Sequence, residues 1–265
     1  MNRAWQGVWI VFPAFDEQAT IRGLVEAALQ LCPRVVVVDD GSHDATSERV
    51  CDLPLTLLRH ERNRGKAASL RTAFAHALAH GAECAITLDG DGQHDPADLP
   101  RLLAAWRANP GQVVIGSRLH DRAAFPPSRW FGNRFACFWI SWAAGHTVAD
   151  SQSGLRVYPR AVMALALDGG AASDRFTFES EILIEAAAHG HETLAVRVPA
   201  RYPKGARGSH YRSVVDTARI VSMVATRLLR RGLYPQGLWR SLRGAPVPQP
   251  CSRSEVGRGV QTTSD

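Results

Sequence analysis

This sequence has few cysteines and shows neither a long apolar run nor the pattern of a secretion signal. Its 265 residues include five cysteines, an odd number without a Cys-x-x-Cys pair, which predicts buried free thiols in a reducing compartment. No apolar run approaches the roughly 20 residues that span a bilayer. The first six residues lack the apolar core of a signal peptide. We therefore expect a cytoplasmic location.

Two common nucleotide-binding motifs are also missing. No predicted strand is followed by Gly-x-Gly-x-x-Gly, which argues against the ordinary dinucleotide site. The pair Gly65-Lys66 fits the end of a P-loop, but that motif requires Gly at the position of His60 and Ser or Thr at that of Ala67. A nucleotide bound here would instead be held by acidic residues on its ribose and base, and by a metal on its phosphates.

The composition is that of a globular protein, with 45% hydrophobic and 21% charged residues. The formal net charge is +6 and the pI is about 9.4, and basic residues outnumber acidic ones from residue 197 onward. This excess indicates an anionic partner: nucleic acid, a phosphate-bearing substrate or a membrane surface. Nucleic acid is the least favoured of the three, because no recognition motif accompanies the charge.

Short apolar runs alternate with segments of helical periodicity in the first half of the chain. The runs predict strands at residues 8–12, 35–38, 55–58, 85–88 and 113–115. The periodic segments predict helices at residues 21–29 and 67–80, a helix capped by Asp44, and another that ends before Asn109. This alternation predicts an α/β fold with a mainly parallel, Rossmann-like sheet that helices cover on both faces.

The alternation lapses after residue 118. Residues 126–145 carry six aromatic side chains beside arginines, which fits either a core helix or a helix at a membrane interface. A polar turn and strand at 150–158, a helix that opens near 176–181 and a strand within 192–202 follow. The basic loop at 203–212 suits a diphosphate or simply solvent.

The end of the chain is predicted to be a basic amphipathic helix and a tail. The helix, at about residues 214–231, could lie on anionic lipid or pack on the domain with its arginines in water. We expect one domain at residues 1–243, with a nucleotide-binding half at about 1–118 and an acceptor-side half at about 119–243. The Pro, Ser, Gly and Thr content of residues 244–265 predicts a disordered tail.

Acidic residues follow three of the predicted strands. Glu17 comes after the first strand, Asp39 and Asp40 after the second, and Asp89 after the fourth. In parallel sheets, ligands bind beyond the carboxyl ends of the strands. Three acidic strand ends at one rim are hard to explain as turns alone, so we predict a ligand site there.

Asp89 and Asp91 form the most informative part of this rim. They lie two positions apart with glycines beside them, so both carboxylates can face one point, where a hard divalent cation would relieve their repulsion. Such a site would hold Mg or Mn. Four interpretations fit the segment: a polar turn, an EF-hand loop with His94 at the glycine position, an aspartyl phosphatase, and the metal site of a nucleotide-sugar transferase.

Taken in order, the motifs resemble those of the inverting family-2 glycosyltransferases, and within them the polyprenyl-phosphate branch similar to dolichyl-phosphate mannose synthase. The matching segments are residues 13–17 (PAFDE), 38–42 (VDDGS), 63–66 (NRGK), 89–94 (DGDGQH), 116–118 (GSR) and 153–156 (SGLR). The resemblance covers about residues 8–215. It implies the GT-A fold and sugar transfer from a UDP- or GDP-linked donor, and a phosphatase or EF-hand would not supply the first two motifs.

The resemblance also implies roles for the donor-side residues. The donor nucleotide would be held by Pro13, Phe15, Glu17, Asp40, Lys66 and Asp89. Magnesium or manganese on the donor diphosphate would be bound by Asp89, Asp91 and Gln93. Arg207, in the basic loop, resembles the family residue that neutralises the diphosphate, so Asp89, Asp91 and Arg207 are the implied catalytic residues.

On the acceptor side, the resemblance implies that Arg118, Arg129 and Asn133 receive a lipid phosphate. A phosphate acceptor is already anionic near neutral pH and needs no general base. A hydroxyl acceptor, on another lipid, a pigment or a glycan, would need one, and the candidates are Asp150, Asp174 and Glu179.

The chain is expected to meet such an acceptor as a peripheral protein on the inner face of the cell membrane. Two rivals of other classes remain open: an aspartate-dependent phosphatase or nucleotidyltransferase, and a non-catalytic membrane-associated scaffold.

Overall fold

The computed structural model describes residues 3–120, 122, 125, 127–168, 177–199 and 213–244. The side chains of residues 128, 129 and 213–217 are not described. The basic loop predicted at 203–212 with its Arg207, the candidate base Asp174, and the predicted tail after Gly244 lie outside the described residues.

In the described part of the chain, seven strands form one sheet, in the spatial order β3-β2-β1-β4-β6-β5-β7. They are β1 Val8–Ala14, β2 Val35–Asp39, β3 Thr56–Arg59, β4 Cys84–Thr87, β5 Val113–Ser117, β6 Arg156–Pro159 and β7 Thr193–Arg197. Neighbouring strands are parallel except where β6 pairs with β4 and β5. The predicted α/β fold with a mainly parallel sheet is confirmed.

Helices cover both faces of this sheet, as the uninterrupted apolar strands require. They are α1 Ile21–Leu29, α2 Lys66–Ala79, α3 Leu99–Ala108, α4 Pro127–Ala144, α5 Arg160–Leu167, α6 Phe178–Ala188, α7 Ser213–Arg230 and α8 Pro235–Leu242. One hydrophobic core joins α1 and α3 to the sheet face that carries Ile10 and Val37. A second core joins the sheet face with Val11 and Val38 to α2 and α4–α7.

Two sequence predictions about local structure are wrong. The helix predicted after Asp44 is absent, because residues 43–55 form turns and bends. The Asp44 carboxylate accepts hydrogen bonds from the backbone N–H of Thr46 and of Gln18, at 3.0 and 3.1 Å, so it ties this segment to the loop after β1 instead of starting a helix.

The first strand is also longer than predicted. Pro13 does not end β1, since it pairs with Val38 of β2. The ladder between β1 and β4 stops at Val11 and Thr87, so the N–H that proline lacks would have had no strand partner on that side. Two helices of eight residues, α5 and α8, were not predicted at all.

Helices α7 and α8 both pack against α4. Ile220, Val224 and Leu228 of α7 are buried. The indole N–H of Trp142 donates to the carbonyl oxygen of Leu233 at 3.0 Å, which ties the end of α4 to the turn before α8. None of the helices in the described ranges is both long enough and apolar enough to cross a bilayer.

These three helices and the turn between α7 and α8 also carry most of the exposed large apolar side chains among the described residues. Among the described residues, eight large apolar side chains are exposed, and Leu167 of α5 is one of them. The other seven lie on α4 or between residues 229 and 242: Phe131, Phe135, Phe138, Leu229, Leu233, Trp239 and Leu242.

Candidate functional site

The acidic strand ends predicted from the sequence meet at one rim. The order β2-β1-β4 makes the three strands neighbours, and all three run in the same direction. The backbone N–H of Asp40 donates to the carbonyl oxygen of Ala14 at 2.8 Å. The hydroxyl of Thr20 donates to the carbonyl oxygen of Gly90. The loops after β1, β2 and β4 are therefore joined directly, and we call them the acidic rim.

One end of the acidic rim contains an open depression of about 450 Å³, lined by residues 16–20, 43 and 44. Phe15 lies beside it, with its ring 5.7 Å from that of His43 in an edge-on contact. Glu17 is half-buried, and Pro13 is buried in the strand. Three of the residues predicted to hold the nucleotide thus lie together, at or beside an open depression.

Asp40 is buried and holds the loop that precedes α2. One of its carboxylate oxygens accepts from the backbone N–H of Arg64 at 3.0 Å, and the other accepts from that of Gly65 at 2.7 Å. Nδ1 of His60 lies 2.6 Å from Asp40 Oδ1, and His60 Nε2 lies 3.0 Å from the Thr72 hydroxyl. Asp40 therefore fixes the loop that delivers Lys66, and its contact with a nucleotide stays a prediction.

Lys66 connects the two sides of the site. Its ammonium nitrogen lies 2.6 Å from Asp89 Oδ1 and 2.9 Å from Glu179 Oε2, at the start of α6. Burial opposes both charges, but the two carboxylates raise the pKa of Lys66, and Lys66 lowers the pKa of Asp89. One ammonium thus lies between two carboxylates.

Asp91 is held by a chain of hydrogen bonds that ends in the core. Its carboxylate accepts from the backbone N–H and the side-chain amide of Gln93, at 3.0 and 2.6 Å. The Gln93 amide oxygen accepts from Arg118 at 2.9 Å, and Asp150, fully buried, accepts from the backbone N–H of Arg118 at 3.0 Å. Because Arg118 and Asp91 fix both ends of the amide, they also fix which way Gln93 faces.

The residues at this point of the acidic rim fit a divalent cation. Carboxylates and an amide oxygen are the hard ligands that Mg²⁺ and Mn²⁺ take, and the oxygen of Gln93 retains a second lone pair. Burial, and then the charge of Asp89, raise the pKa of Asp91, so a positive charge beside it would be stabilising.

The protein ligands would form only part of the coordination shell. No group of three or more His, Cys, Asp or Glu side chains within the described ranges could hold a metal by itself. Mg²⁺ in proteins usually keeps several waters and takes further ligands from substrate phosphates.

Gly154 is required by the position of Asp89. A Cβ atom at residue 154 would lie 2.1 Å from Asp89 Oδ2, well inside contact distance. The carboxylate therefore rests directly on the backbone of the Ser153-Gly154 motif. Nearby, His94 is buried, which lowers its pKa to about 3 with a smaller contribution from Arg118, so this ring is neutral.

The predicted acceptor residues are brought together only in part. Arg118 and Asn133 are both 7% exposed, and Arg118 is engaged by Gln93 and by the carbonyl oxygen of Gln152. Arg129 lies in α4, but its side chain is not described. Their binding of an acceptor stays a prediction.

The candidate general bases differ in access. Asp150 is fully buried and accepts from two backbone N–H groups, of Arg118 and Gln152, so it cannot readily reach a substrate. Glu179 is half-buried beside Lys66. The geometry favours Glu179 over Asp150.

Sequence reasoning did not single out His60 or the partnership of Lys66 with Glu179. His60 follows β3, whose carboxyl end lies at the same rim, so a polar residue directly after that strand was the available signal. The contact between Lys66 and Glu179 joins residues more than one hundred positions apart, and no local pattern encodes it.

Comparison with known proteins identifies a family, several similar sequences and solved structures with the same fold. A family model described as Glycosyl transferase family 2 matches residues 9–160. An uncharacterized protein of Methanocaldococcus jannaschii is 33% identical over 202 residues, which cover 74% of this chain and 82% of that protein.

Two similar proteins carry functional names. A UDP-N-acetylglucosamine–dolichyl-phosphate N-acetylglucosaminyltransferase of Methanococcus voltae is 28% identical over 177 residues, 59% of this chain and 70% of that one. A polyprenol monophosphomannose synthase of Mycolicibacterium smegmatis is 26% identical over 207 residues, 74% of this chain and 78% of that one.

A solved structure shares the fold. Glucosyl-3-phosphoglycerate synthase from Mycobacterium tuberculosis, crystallised with Mn²⁺, UDP and phosphoglyceric acid, superposes with a TM-score of 0.60 at 19% identity. The superposition covers 86% of this chain and 80% of that one.

Proposed function

Because the chain belongs to glycosyl transferase family 2 and has the GT-A fold, we propose that it transfers a sugar from a nucleoside-diphosphate donor to a polyprenyl phosphate, with inversion at the anomeric carbon. It is a glycosyltransferase by family. The proposal concerns the donor, the acceptor and the residues that act on them.

The observation that carries the donor half is the acidic rim. The rim brings together a depression at Glu17, the loop fixed by Asp40, and the pair Asp89 and Asp91. We propose that Pro13, Phe15, Glu17 and Asp40 hold or frame the nucleoside, with Asp40 acting at least through the loop that it fixes.

A divalent cation would complete the site. We propose that Asp89, Asp91 and Gln93 hold Mg²⁺ or Mn²⁺, which would supply positive charge to the diphosphate when bound. Gln93, held between Arg118 and Asp91, presents its amide oxygen in one orientation. Lys66 keeps Asp89 ionised and adds a fixed positive charge beside it.

The remaining proposed roles follow from charge. Departure of the nucleoside diphosphate leaves negative charge, and we propose that Arg207 neutralises it together with Lys66. Arg118, Arg129 and Asn133 are proposed to receive the acceptor phosphate. Such an acceptor attacks as an anion, so the chain need not supply a base.

The names of the relatives support a lipid-phosphate acceptor, since two of them are named for dolichyl phosphate and polyprenol phosphate. A second candidate is a hydroxyl acceptor. Glu179 favours it, because this carboxylate is half-buried and lies 2.9 Å from Lys66, which also contacts Asp89 of the acidic rim, so a base would be close to the site.

The test is incubation of the purified chain and Mn²⁺ with UDP- and GDP-sugars, without acceptor, with a polyprenyl phosphate or with the corresponding polyprenol in detergent, beside a calorimetric titration of the same sugar nucleotides. The proposal expects two products, the nucleoside diphosphate and a polyprenyl glycosyl phosphate, and both should form only when the polyprenyl phosphate is present. Inorganic phosphate as the product would instead support the phosphatase. Transfer to an alcohol but not to a phosphate would support the hydroxyl acceptor, and no binding of any sugar nucleotide at millimolar concentration would support the scaffold.

A further inference from the structure

The exposed side chains of α4 and of residues 229–243 form a surface unlike the rest of the molecule, which we call the aromatic–arginine face. Seven of the eight exposed large apolar side chains among the described residues belong to it. Phe131, Leu229 and Leu242 are each more than 60% exposed. Monomeric proteins rarely expose so many large apolar groups in one region unless something covers them.

The aromatic side chains of α4 touch in sequence along the helix. The ring of Phe131 stacks on that of Phe135 with centroids 6.4 Å apart, Phe135 meets Trp139 edge-on at 6.2 Å, and Trp139 stacks on Trp142 at 5.5 Å. Trp142 then donates its indole N–H to the carbonyl oxygen of Leu233. Trp139 and Trp142 are half-buried, and through them the exposed rings of α4 connect with the turn that leads into α8.

The charge on the face itself has one sign. Residues 127–144 contain two arginines, residues 229–243 contain four, and neither segment contains Asp, Glu or Lys. Outside these segments, α7 also contains Asp216, and its Arg227 pairs with Glu185 at 3.3 Å. Several guanidinium groups of the face lie over aromatic rings, with Arg243 3.7 Å from the Trp239 ring, Arg231 4.6 Å from Tyr234 and Arg134 5.6 Å from Trp130. Rings and arginines side by side are the composition of an interface with anionic lipid.

The opposite side of α4 faces the protein. Asn133 and Cys137 are buried, and Cys137 Sγ lies 3.4 Å from the hydroxyl of Ser151, close to the Asp150 that holds Arg118. The same helix thus carries exposed aromatic rings and, on its buried side, Asn133, one of the residues proposed to receive an acceptor phosphate.

We propose that the aromatic–arginine face docks the protein on the surface of an anionic bilayer, with Phe131, Phe135 and Trp239 at the acyl boundary and the arginines at the lipid phosphates. The charge complementarity singles out this occupant, because a second copy of the chain would set arginine against arginine. The inference deepens the proposed function by giving the lipid acceptor a docking surface. Vesicle binding itself requires no turnover.

The test is sedimentation of the full chain with vesicles of phosphatidylcholine, either pure or with 30% phosphatidylglycerol. Binding is expected on the anionic vesicles and should weaken as salt is raised, since exposed charges are screened. Each arginine near such a surface is worth roughly fivefold in affinity, so Arg230→Gln with Arg240→Gln should weaken binding about 25-fold. The matched charge control is Arg49→Gln with Arg62→Gln, two exposed arginines of the donor half.

The apolar half of the face has its own pair of variants. Phe135→Ser with Trp239→Ser should weaken binding by roughly tenfold or more. Leu167→Ser removes the exposed large apolar residue that lies outside the face, and it should leave vesicle binding unchanged. All variants change exposed side chains, and a thermal melt confirms that each one folds.

Three results would overturn the inference. The first is failure of the unchanged chain to sediment with anionic vesicles at low salt. The second is equal loss in the control variants. The third is a concentration-dependent dimer that Phe135→Ser with Trp239→Ser dissolves, which would make the face a contact between copies.

The two proposals fail separately. Transfer to a detergent-dispersed polyprenyl phosphate reports the chemistry without a bilayer, so a chain that transfers sugar there but ignores vesicles loses only the docking surface. A chain that binds vesicles but transfers no sugar loses only the proposed function.

Discussion

At the acidic rim the charges have defined hydrogen-bond or ion-pair partners, whereas on the aromatic–arginine face several of the arginines lie over rings. Lys66 sits between two carboxylates at 2.6 and 2.9 Å, and both oxygens of Asp40 accept from a backbone N–H. On the face, by contrast, Arg243 lies over Trp239. The function proposed for the rim depends on the exact positions of a few side chains, whereas vesicle binding by the face depends on the number of its aromatic and arginine residues. A single substitution should therefore reduce sugar transfer strongly at the rim and reduce vesicle binding only moderately on the face.

The largest effect is expected at Lys66. Lys66→Met leaves Asp89 and Glu179 close together without the cation between them and removes a fixed positive charge from the site. We expect the turnover number for sugar transfer to fall roughly 10²- to 10³-fold, as when a preorganised electrostatic partner is lost. Steady-state kinetics with a detergent-dispersed acceptor measures this.

Arg71→Met is the matched control, because Arg71 lies on the same helix but contacts the Phe178 ring and the carbonyl oxygen of Ala166. It should cost less than tenfold. If Lys66→Met were no slower than Arg240→Gln on the aromatic–arginine face, the contrast between the two regions would be lost.

A smaller effect is expected when the acidic rim is disturbed sterically. Gly154→Ala would place a Cβ atom 2.1 Å from Asp89 Oδ2, so the carboxylate must move. We expect metal-dependent donor affinity to fall roughly tenfold or more, with a cost of about 1–3 kcal/mol in the free energy of unfolding. Titration calorimetry and denaturant unfolding give the two quantities.

Gly23→Ala is the control, since a Cβ atom there meets nothing within 4 Å and the residue lies inside α1. This exchange should leave donor affinity unchanged and raise stability by about 0.5–1 kcal/mol. Equal donor affinity in both alanine variants would show that donor binding does not depend on the position of the Asp89 carboxylate, which would contradict the proposed role of the acidic rim.

The smallest effect concerns the joint between α4 and the sheet. His146 follows α4 and accepts a hydrogen bond from the backbone N–H of Thr193 in β7, at 3.0 Å. Burial lowers the pKa of His146. The unfolded chain therefore binds a proton more readily than the folded one, and stability should fall as the pH drops below the ordinary histidine value of 6.5.

His146→Gln keeps an acceptor without titrating, so it should flatten the acid side of the stability curve by roughly 1 kcal/mol. Denaturant unfolding at several pH values between 7.5 and about 5 measures this. The exposed His120 supplies the control variant, His120→Gln. Identical pH slopes for the unchanged chain and His146→Gln would show that His146 contributes nothing to the acid sensitivity, to which the buried His94 also contributes by the lowering of its pKa.

The sheet could be predicted from the sequence because its strands are short apolar runs separated by periodic helices, and the acidic strand ends follow from that order. The helix expected after Asp44 does not form. The Asp44 side chain instead accepts a hydrogen bond from Gln18 in another loop, and local propensity does not predict such a contact. Helix α8 was not predicted because its eight residues of mixed polarity are too few to show a helical period in the sequence.

The candidate site shows the same division. Residues within one motif, such as Asp89 and Asp91, could be chosen from their spacing. The partners that hold them come from distant segments, Lys66 with Glu179 and Gly154 with Asp89, and only the packing of α2, α6 and β6 brings those segments together. The spacing of residues in the sequence predicts which carboxylates could bind the metal, whereas the fold determines which distant side chains contact those carboxylates.

The central claim is that Asp91 helps to hold a divalent ion on the diphosphate of a sugar donor at the acidic rim. Calorimetric titration of UDP- and GDP-sugars into the chain with Mn²⁺, with EDTA and as Asp91→Ala tests it most directly. The account predicts binding of at least one donor with Mn²⁺, and loss of that binding both with EDTA and in Asp91→Ala. An Asp91→Ala chain that binds the donor with unchanged affinity and unchanged dependence on Mn²⁺ would contradict it.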